Sequence, residues 1–429
     1  MLRTSKRFCL SAGAVIVCSL LLPVPPLTAR TWSVLQNGSG DAPTVQAGID
    51  SAAAGDTVLV HPGTYPERIT FRGRDIVVRS ASGPNQTILD ATGLGGRVVT
   101  FNMGESRSTI LEGFTITNGQ GGILVTNSQP SIVANIITAN SAGQAGGGIW
   151  CGADTFFPWF PLIERNIITS NIGNNLAGGI GTLQWMVPEI LDNYIAGNEA
   201  GSGDGGGIYY RSFDNGAVIR GNTVINNRAG DHGGGIYVWH VGDIGILEVE
   251  VSWNLIQGNT ADGQEATGNS GGGLFLWETN AWVHHNTIVN NTGDGPNNAY
   301  GGGIVVEQPG TPTIEQNIIA FSLKGGGVWC GGGATPIIRN NFTWQNVGGD
   351  GVGTCTTWWQ SNSNIVDNPY FCDMAGGDFT VASNSGVMTH PAGPLGALPT
   401  PGCGPVDVEP TTWGRIKAMY ATPGPESSP

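Results

Sequence analysis

The chain has 429 residues, 70 of them glycine, and only 12% are charged, against about 25% in ordinary globular proteins. A formal charge of −14 gives no attraction for nucleic acid or anionic lipid, so neither is expected as a partner. Glycine at this level without phase would mean disorder, but here it falls in step with short β-branched runs and marks a repeat.

In chain order, Arg3, Lys6 and Arg7 precede the apolar run Phe8 to Leu22, and small or proline residues lead to Ala29. This is the pattern of a secretory signal peptide over 1–29, too short to span a bilayer. It predicts a secreted protein, placed outside the cell, on its surface or in the periplasm, with no membrane insertion after the signal is removed. Residues 30–54 read as an N-terminal cap, where Val45, Ile49 and Ala53 fall at helical spacing behind Pro43.

From 55 to 347 the chain reads as stacked coils. The first opens at Asp56 to Val60 and Pro62-Gly63-Thr64-Tyr65. Irregular strands follow near 76–78, 87–89, 98–101 and 114–117. From about Gly121 a two-part unit recurs. A Gly-rich strand start is anchored at Ile149, Ile180, Ile208, Ile236, Leu274, Ile304 and Val328, at steps of 31, 28, 28, 38, 30 and 24 residues. Its second half begins at Asn135, Asn166, Asn193, Asn222, Asn254, Asn286, Asn317 and Asn341. A second Asn stands five places after each, except at Ser322. A fixed motif with elastic spacing means strands in register and turns of varying length. Stacked amides are expected to bond from coil to coil as a structural ladder, and Asn tolerates the left-handed geometry of a turn. Residues 348–404 read as a C-terminal cap. In the tail, 405–429, Trp413, Ile416 and Tyr420 form one helical stripe.

The segment Gly55-Asp56-Thr57-Val58-Leu59-Val60 with Gly63-Thr64-Tyr65-Pro66-Glu67, followed by the Asn coils, resembles the right-handed parallel β-helix family, the pectin-lyase-like superfamily. The resemblance covers about residues 31 to 400. It implies an all-β, right-handed single-stranded parallel β-helix, a solenoid with a short helical N-cap. It does not name a chemistry, because that superfamily holds lyases, hydrolases, esterases, epimerases and tailspikes.

Tested residue by residue, the family's catalytic patterns are not met. Gly63 to Glu67 is similar to the first motif of pectin methylesterases, whose catalytic motifs have no counterpart here. Arg415-Ile416-Lys417 matches one polygalacturonase motif but lies in the tail without the others. Asp231-His232-Gly233 is the nearest shape to the epimerase Asp-Pro-His and sits in a Gly turn. No row of acids for a calcium-dependent lyase is visible, so no cofactor and no metal site are expected. Asp204 and Asp231 read as ordinary turn residues, and His284-His285 as a solvated strand pair whose neighbours face opposite ways.

Alternation places the anchors inward and two rows outward: Trp150, Tyr209, Tyr237, Phe275, Val305 and Trp329 in one, Arg211, Trp239, Trp277 and Glu307 in the other. Stacked about 4.8 Å apart, they predict an exposed aromatic ribbon suited to the apolar faces of sugar rings in a polysaccharide or glycan. His240 and Glu278, on adjacent coils beside it, are the candidate catalytic pair for a lyase or hydrolase with a divergent site. A surface adhesin or structural repeat protein is a third reading. A loop from Asp262 to Ser270 is the expected cover if the ribbon is closed. Cys151 and Cys330, six coils and roughly 29 Å apart, read as buried inert thiols, and Cys372 and Cys403 as a cap disulfide with Cys355 the alternative partner of either.

Overall fold

The computed structural model describes residues 29–214, 216–240, 249–263, 270–295, 301–356, 362–398 and 400–405. The expected signal peptide up to residue 28, the tail beyond 405, and 264–269 of the expected covering loop lie outside the described residues. Alternating β-branched residues fold the chain into an all-β parallel solenoid of about 10 turns with one short helix near the N-terminus. Among the described residues, two 12-stranded parallel sheets run from Thr31–Val34 to Ile337–Arg339 and from Gly63–Tyr65 to Ile365–Val366. A third, of 11 strands, runs from Ile69–Thr70 to Gly351–Gly353, and a short fourth has six strands from Ser141–Ala142 to Thr292–Gly293.

The anchors stack in register, Ile149 on Ile180, then Ile208, Ile236 and Leu274. Together with the inward residues of the other sheets, such as Ile163, Ile190, Ile168 and Ile195, they fill one continuous core with no exposed surface. In the coils each strand pairs with its equivalents before and after, so the core repeats along the axis instead of closing around a centre; outside them Phe371–Asp373 pairs antiparallel with Asp378–Val381.

The Asn column forms as expected. From Asn135 to Asn341 each Nδ2 donates to the next Oδ1 at 2.9–3.1 Å. Asn364, which the repeat did not single out, continues it at 3.1 Å. The same Oδ1 accepts the backbone N–H of the preceding Asn, for example Asn166 N to Asn193 Oδ1 at 2.9 Å. The buried turn thus satisfies its own backbone. A second column runs Asn140, Asn171, Asn198, Asn227, Asn259 and Asn291 at 3.0 Å per step and stops at Ser322, whose Oγ is buried without a hydrogen-bond partner. One detail differs from expectation. The left-handed residue is the one before the Asn, as at Ala134 (φ 53°), Arg165 (54°), Asp192 (54°), Trp253 (56°) and His285 (52°). The Asn side chain is the clamp, and its predecessor makes the bend.

At the N-terminal end the helix Val45–Ser51 starts at Thr44, whose side chain accepts from Ala47 N. The Glu67 carboxylate accepts Val45 N–H and Gln46 N–H, both at 3.0 Å, a strong arrangement for the positive end of a helix. Val45 and Ile49 are buried as expected, but Ala53 is exposed and Ala52 is buried. The helix ends at Ser51, and the extended backbone of Ala52 shifts the stripe by one residue.

At the other end, parallel pairing continues past 347 through Gly351–Gly353 and Ile365–Val366. Cys372–Cys403 forms a disulfide. Cys330 is not the free thiol expected: it is bonded to Cys355. The two are 25 residues apart, one coil along, so they stack almost directly. Cys151 remains a buried free thiol, and burial pushes its pKa up to about 12.

Candidate functional site

The aromatic rows sit on the outer side of the third sheet. Strands Ile208–Ser212, Ile236–His240, Leu274–Trp277 and Ile304–Glu307 set them in register, Tyr209 on Tyr237 on Phe275 on Val305, and Arg211 on Trp239 on Trp277 on Glu307. The rings of Tyr209, Tyr237 and Phe275 stack at 5.1 and 5.5 Å, nearly parallel.

The first row is not the exposed ribbon that alternation predicts. Tyr209, Tyr237, Phe275, Val305 and Trp329 are buried, in a second apolar cluster with Ala177 and Leu176. The Gly-rich turn before each strand folds back over the row. A Cβ on Gly205 (φ 70°) would lie 2.6 Å from Tyr209 Cβ, and one on Gly233 (φ 64°) 2.8 Å from Tyr237 Cβ. Only glycine permits both that dihedral and that approach. Trp150 is half-buried because it lies across Gly181 of the next coil.

The second row does reach solvent. Arg211, Trp239, Trp277 and Glu307 are half-buried. The Arg211 guanidinium lies 3.8 Å over the Trp239 ring, and Trp239 meets Trp277 edge-on at 6.5 Å. Trp239 Nε1–H donates to Glu278 Oε2 at 3.0 Å. Farther along the same face, Trp185 packs 5.7 Å from Phe213 and 6.1 Å from Phe156. Phe156 and Phe157 are 83% and 73% exposed. The sequence reading missed these aromatics because they follow the strand ends, outside the repeat.

The expected pair His240 and Glu278 is not assembled. His240 follows outward Trp239 at the end of its strand and is 2% exposed. Glu278 is exposed on the outside, where a left-handed φ of 46° turns it onto the Trp239 indole.

Titratable groups gather instead in the turns over the first row. Gly205 N–H bonds His232 O, so Asp204 and His232 hold nearly equivalent places on successive turns. His232 Nδ1 lies 2.9 Å from Asp204 Oδ1 and 3.3 Å from Asp231 Oδ2. The His232 ring packs 4.6 Å from Phe275. Burial disfavours its charge, but the Asp204 hydrogen bond and the charges of Asp204, Asp231 and Glu307 more than offset this and raise its pKa. Burial likewise pushes Tyr209 up to about 12 and Tyr237 well above its ordinary value. Asp204 and Asp231, read as ordinary turn residues, are thus partners of a buried imidazole. The signal was present: aligned on the glycine triplets 205–207 and 233–235, Asp204 falls on His232.

A second polar group lies on the first sheet. His284 is buried, not solvated, and its Nδ1 is 2.8 Å from Nδ1 of His285. The alternation rule fails here because His285 is the left-handed residue of its corner, which swings its ring alongside Trp253 at 4.2 Å. Around the pair, Glu250 lies 3.5 Å from His284 Nε2. Glu315 accepts from Trp282 Nε1 at 2.8 Å and Arg339 Nε at 2.7 Å. Burial lowers both imidazole pKa values, that of His285 to about 4 with the His284 charge as the second cause.

No family model and no curated protein matches the chain. Among solved structures, the PL6 family alginate lyase AlyGC is similar with a TM-score of 0.39 and 13% identity, over 86% of this chain and 57% of that one. A single-substitution mutant of that enzyme gives 0.40 and 13%, over 82% and 55%. ORF18 of Geobacillus virus E2 gives 0.30 and 13%, over 72% and 58%. The chain spans somewhat more than half the length of these structures. With the lyase it has a distant likeness of parallel β-solenoid architecture. No helix among the described residues is long and apolar enough to cross a membrane.

Proposed function

We propose that this is a secreted carbohydrate-binding protein whose glycan lies along the outer face of the third sheet. The observation that carries the reading is the half-exposed row Arg211, Trp239 and Trp277, with the Trp239 indole held by a guanidinium on its ring and a carboxylate on its N–H. Sugar rings need an apolar surface for their C–H faces and charged or polar atoms at its margin for their hydroxyls, and here both are fixed before a ligand arrives. Trp185, Phe213 and Phe156 extend the aromatic surface over neighbouring coils. The two disulfides fit an oxidising compartment, in keeping with export.

The test is a glycan-array screen of the protein without residues 1–29, followed by titration of the best ligand against Trp239→Ala and Trp277→Ala. Each substitution is expected to weaken binding about tenfold or more, in line with the contribution of about 1–2 kcal/mol from a well-packed aromatic. Unchanged melting of each variant separates lost recognition from lost folding. Binding indifferent to both substitutions defeats the proposal.

A further inference from the structure

We propose that Asp204, Asp231 and His232 form a binding site for a divalent transition-metal ion, with zinc the ion the donor set fits best. The three side chains come from two successive Gly-rich turns held together by Gly205 N–H to His232 O and Asp231 N–H to Gly203 O, at 2.9 and 3.0 Å. One donor atom from each lies within 4.8 Å of the other two. Neighbouring ligands on a metal with bonds of about 2.0–2.2 Å stand roughly 3.0–3.5 Å apart. Here both carboxylate oxygens approach the same ring nitrogen, Nδ1, at 2.9 and 3.3 Å. A single N–H can aim fully at only one acceptor, whereas a cation between the three atoms engages all of them.

The donors are also fixed in place. Asp204 Oδ1 accepts the backbone N–H of His232 at 3.1 Å, and the imidazole is wedged against Phe275. Asp231 and His232 are 5% and 8% exposed, so their charges are poorly screened by water. Two carboxylates and an imidazole that is neutral when it ligates a metal carry a charge of −2, which a divalent ion cancels. The donor set of one imidazole nitrogen and two carboxylate oxygens favours zinc over calcium, whose sites are built of six to eight oxygens. Three protein ligands leave the fourth tetrahedral position for water or an external ligand.

The experiment is calorimetric titration of the full chain with zinc chloride after chelator dialysis, with cobalt(II) absorption as a second readout of coordination. One zinc per chain is expected, with affinity falling at least tenfold in Asp204→Asn and in His232→Gln and unchanged in His284→Asn. Circular dichroism checks each variant's fold. If His232→Gln does not fold, Asp231→Asn together with wild-type cobalt absorption at one equivalent decides the matter. Absence of zinc binding by the wild type overturns the site and leaves an imidazole held between two carboxylates. Loss of binding in His284→Asn with retention in His232→Gln also overturns it, as does preference for calcium over zinc. The outcome is independent of glycan binding, because neither readout involves a sugar.

Discussion

Asn193 shows what a single rung contributes. Its Oδ1 accepts Asn166 N–H and Asn166 Nδ2–H, and its own Nδ2 donates to Ile163 O and Asn222 Oδ1, all at 2.8–3.0 Å in a buried turn. Asn193→Ala strands a buried N–H and a buried carbonyl, each costing about 1–3 kcal/mol. We expect a loss of about 3 kcal/mol in urea unfolding, and a loss below about 1 kcal/mol would contradict the ladder's role. The converse change is Ser322→Asn. It restores the amide at the one break in the second column, in place of a buried Oγ that has no partner, and should raise the unfolding midpoint by an amount worth about 1 kcal/mol. The imidazole pair gives a pH effect of definite sign. With the folded pKa of His285 lowered to about 4 and that of His284 also lowered, the unfolded chain binds more protons between about pH 6.5 and pH 4. Their contribution to stability is therefore present above about pH 6.5 and lost as pH falls towards 4. The melting temperature of the wild type should drop across that interval by more than that of a His284→Asn, His285→Asn double variant, and equal drops would refute the assignment.

At the scale of strands and turns, the sequence was a good guide to what repeats and a poor one to what covers it. Ile149, Ile180 and Ile208 announce their inward side because β-strand parity and burial coincide there. Tyr209, Tyr237 and Phe275 face outward by the same parity, yet are buried, because parity says nothing of a turn that bends back over the sheet. His240 fails for a related reason. It was matched to Glu278 by position on adjacent coils, while His240 is buried and the left-handed φ of Glu278 leaves that carboxylate exposed on the Trp239 indole. Asp204 and His232 were hidden because they meet only once the glycine triplets are superposed. The C-terminal end offers a test of its own. Cys330–Cys355 closes one coil of 25 residues, which by chain entropy is worth about 3 kcal/mol. Cys355→Ser should leave the central coils intact while making the segment after Cys330 the first to be cut in limited proteolysis.

For the molecule as a whole, backbone pairing in the coils links each coil only to its neighbours, with a few arginine side chains such as Arg97 reaching farther, so stability is close to a sum of local terms and not the property of one closed core. Deleting 193–221 removes one lap and sets Asn222 above Asn166, restoring every rung. Such a chain should keep its β-sheet circular dichroism and a cooperative melt; collapse to an unfolded spectrum would show that the coils are not interchangeable. The corners differ in what they tolerate. Between the first and second sheets the connection is always two residues in the regular coils, as from Glu164 to Ile167 or Glu315 to Ile318. From the third sheet to the first it varies from four residues after Trp277 to nine after Gly152. The second-to-third connection varies more, from seven residues after Ala320 to sixteen after Gln257, so the framework has two margins where sequence can be lengthened, shortened or exchanged like cartridges, with the amide spine undisturbed. Phe156 and Phe157 ride on the longest third-to-first segment, so new recognition properties are cheap to acquire along that edge.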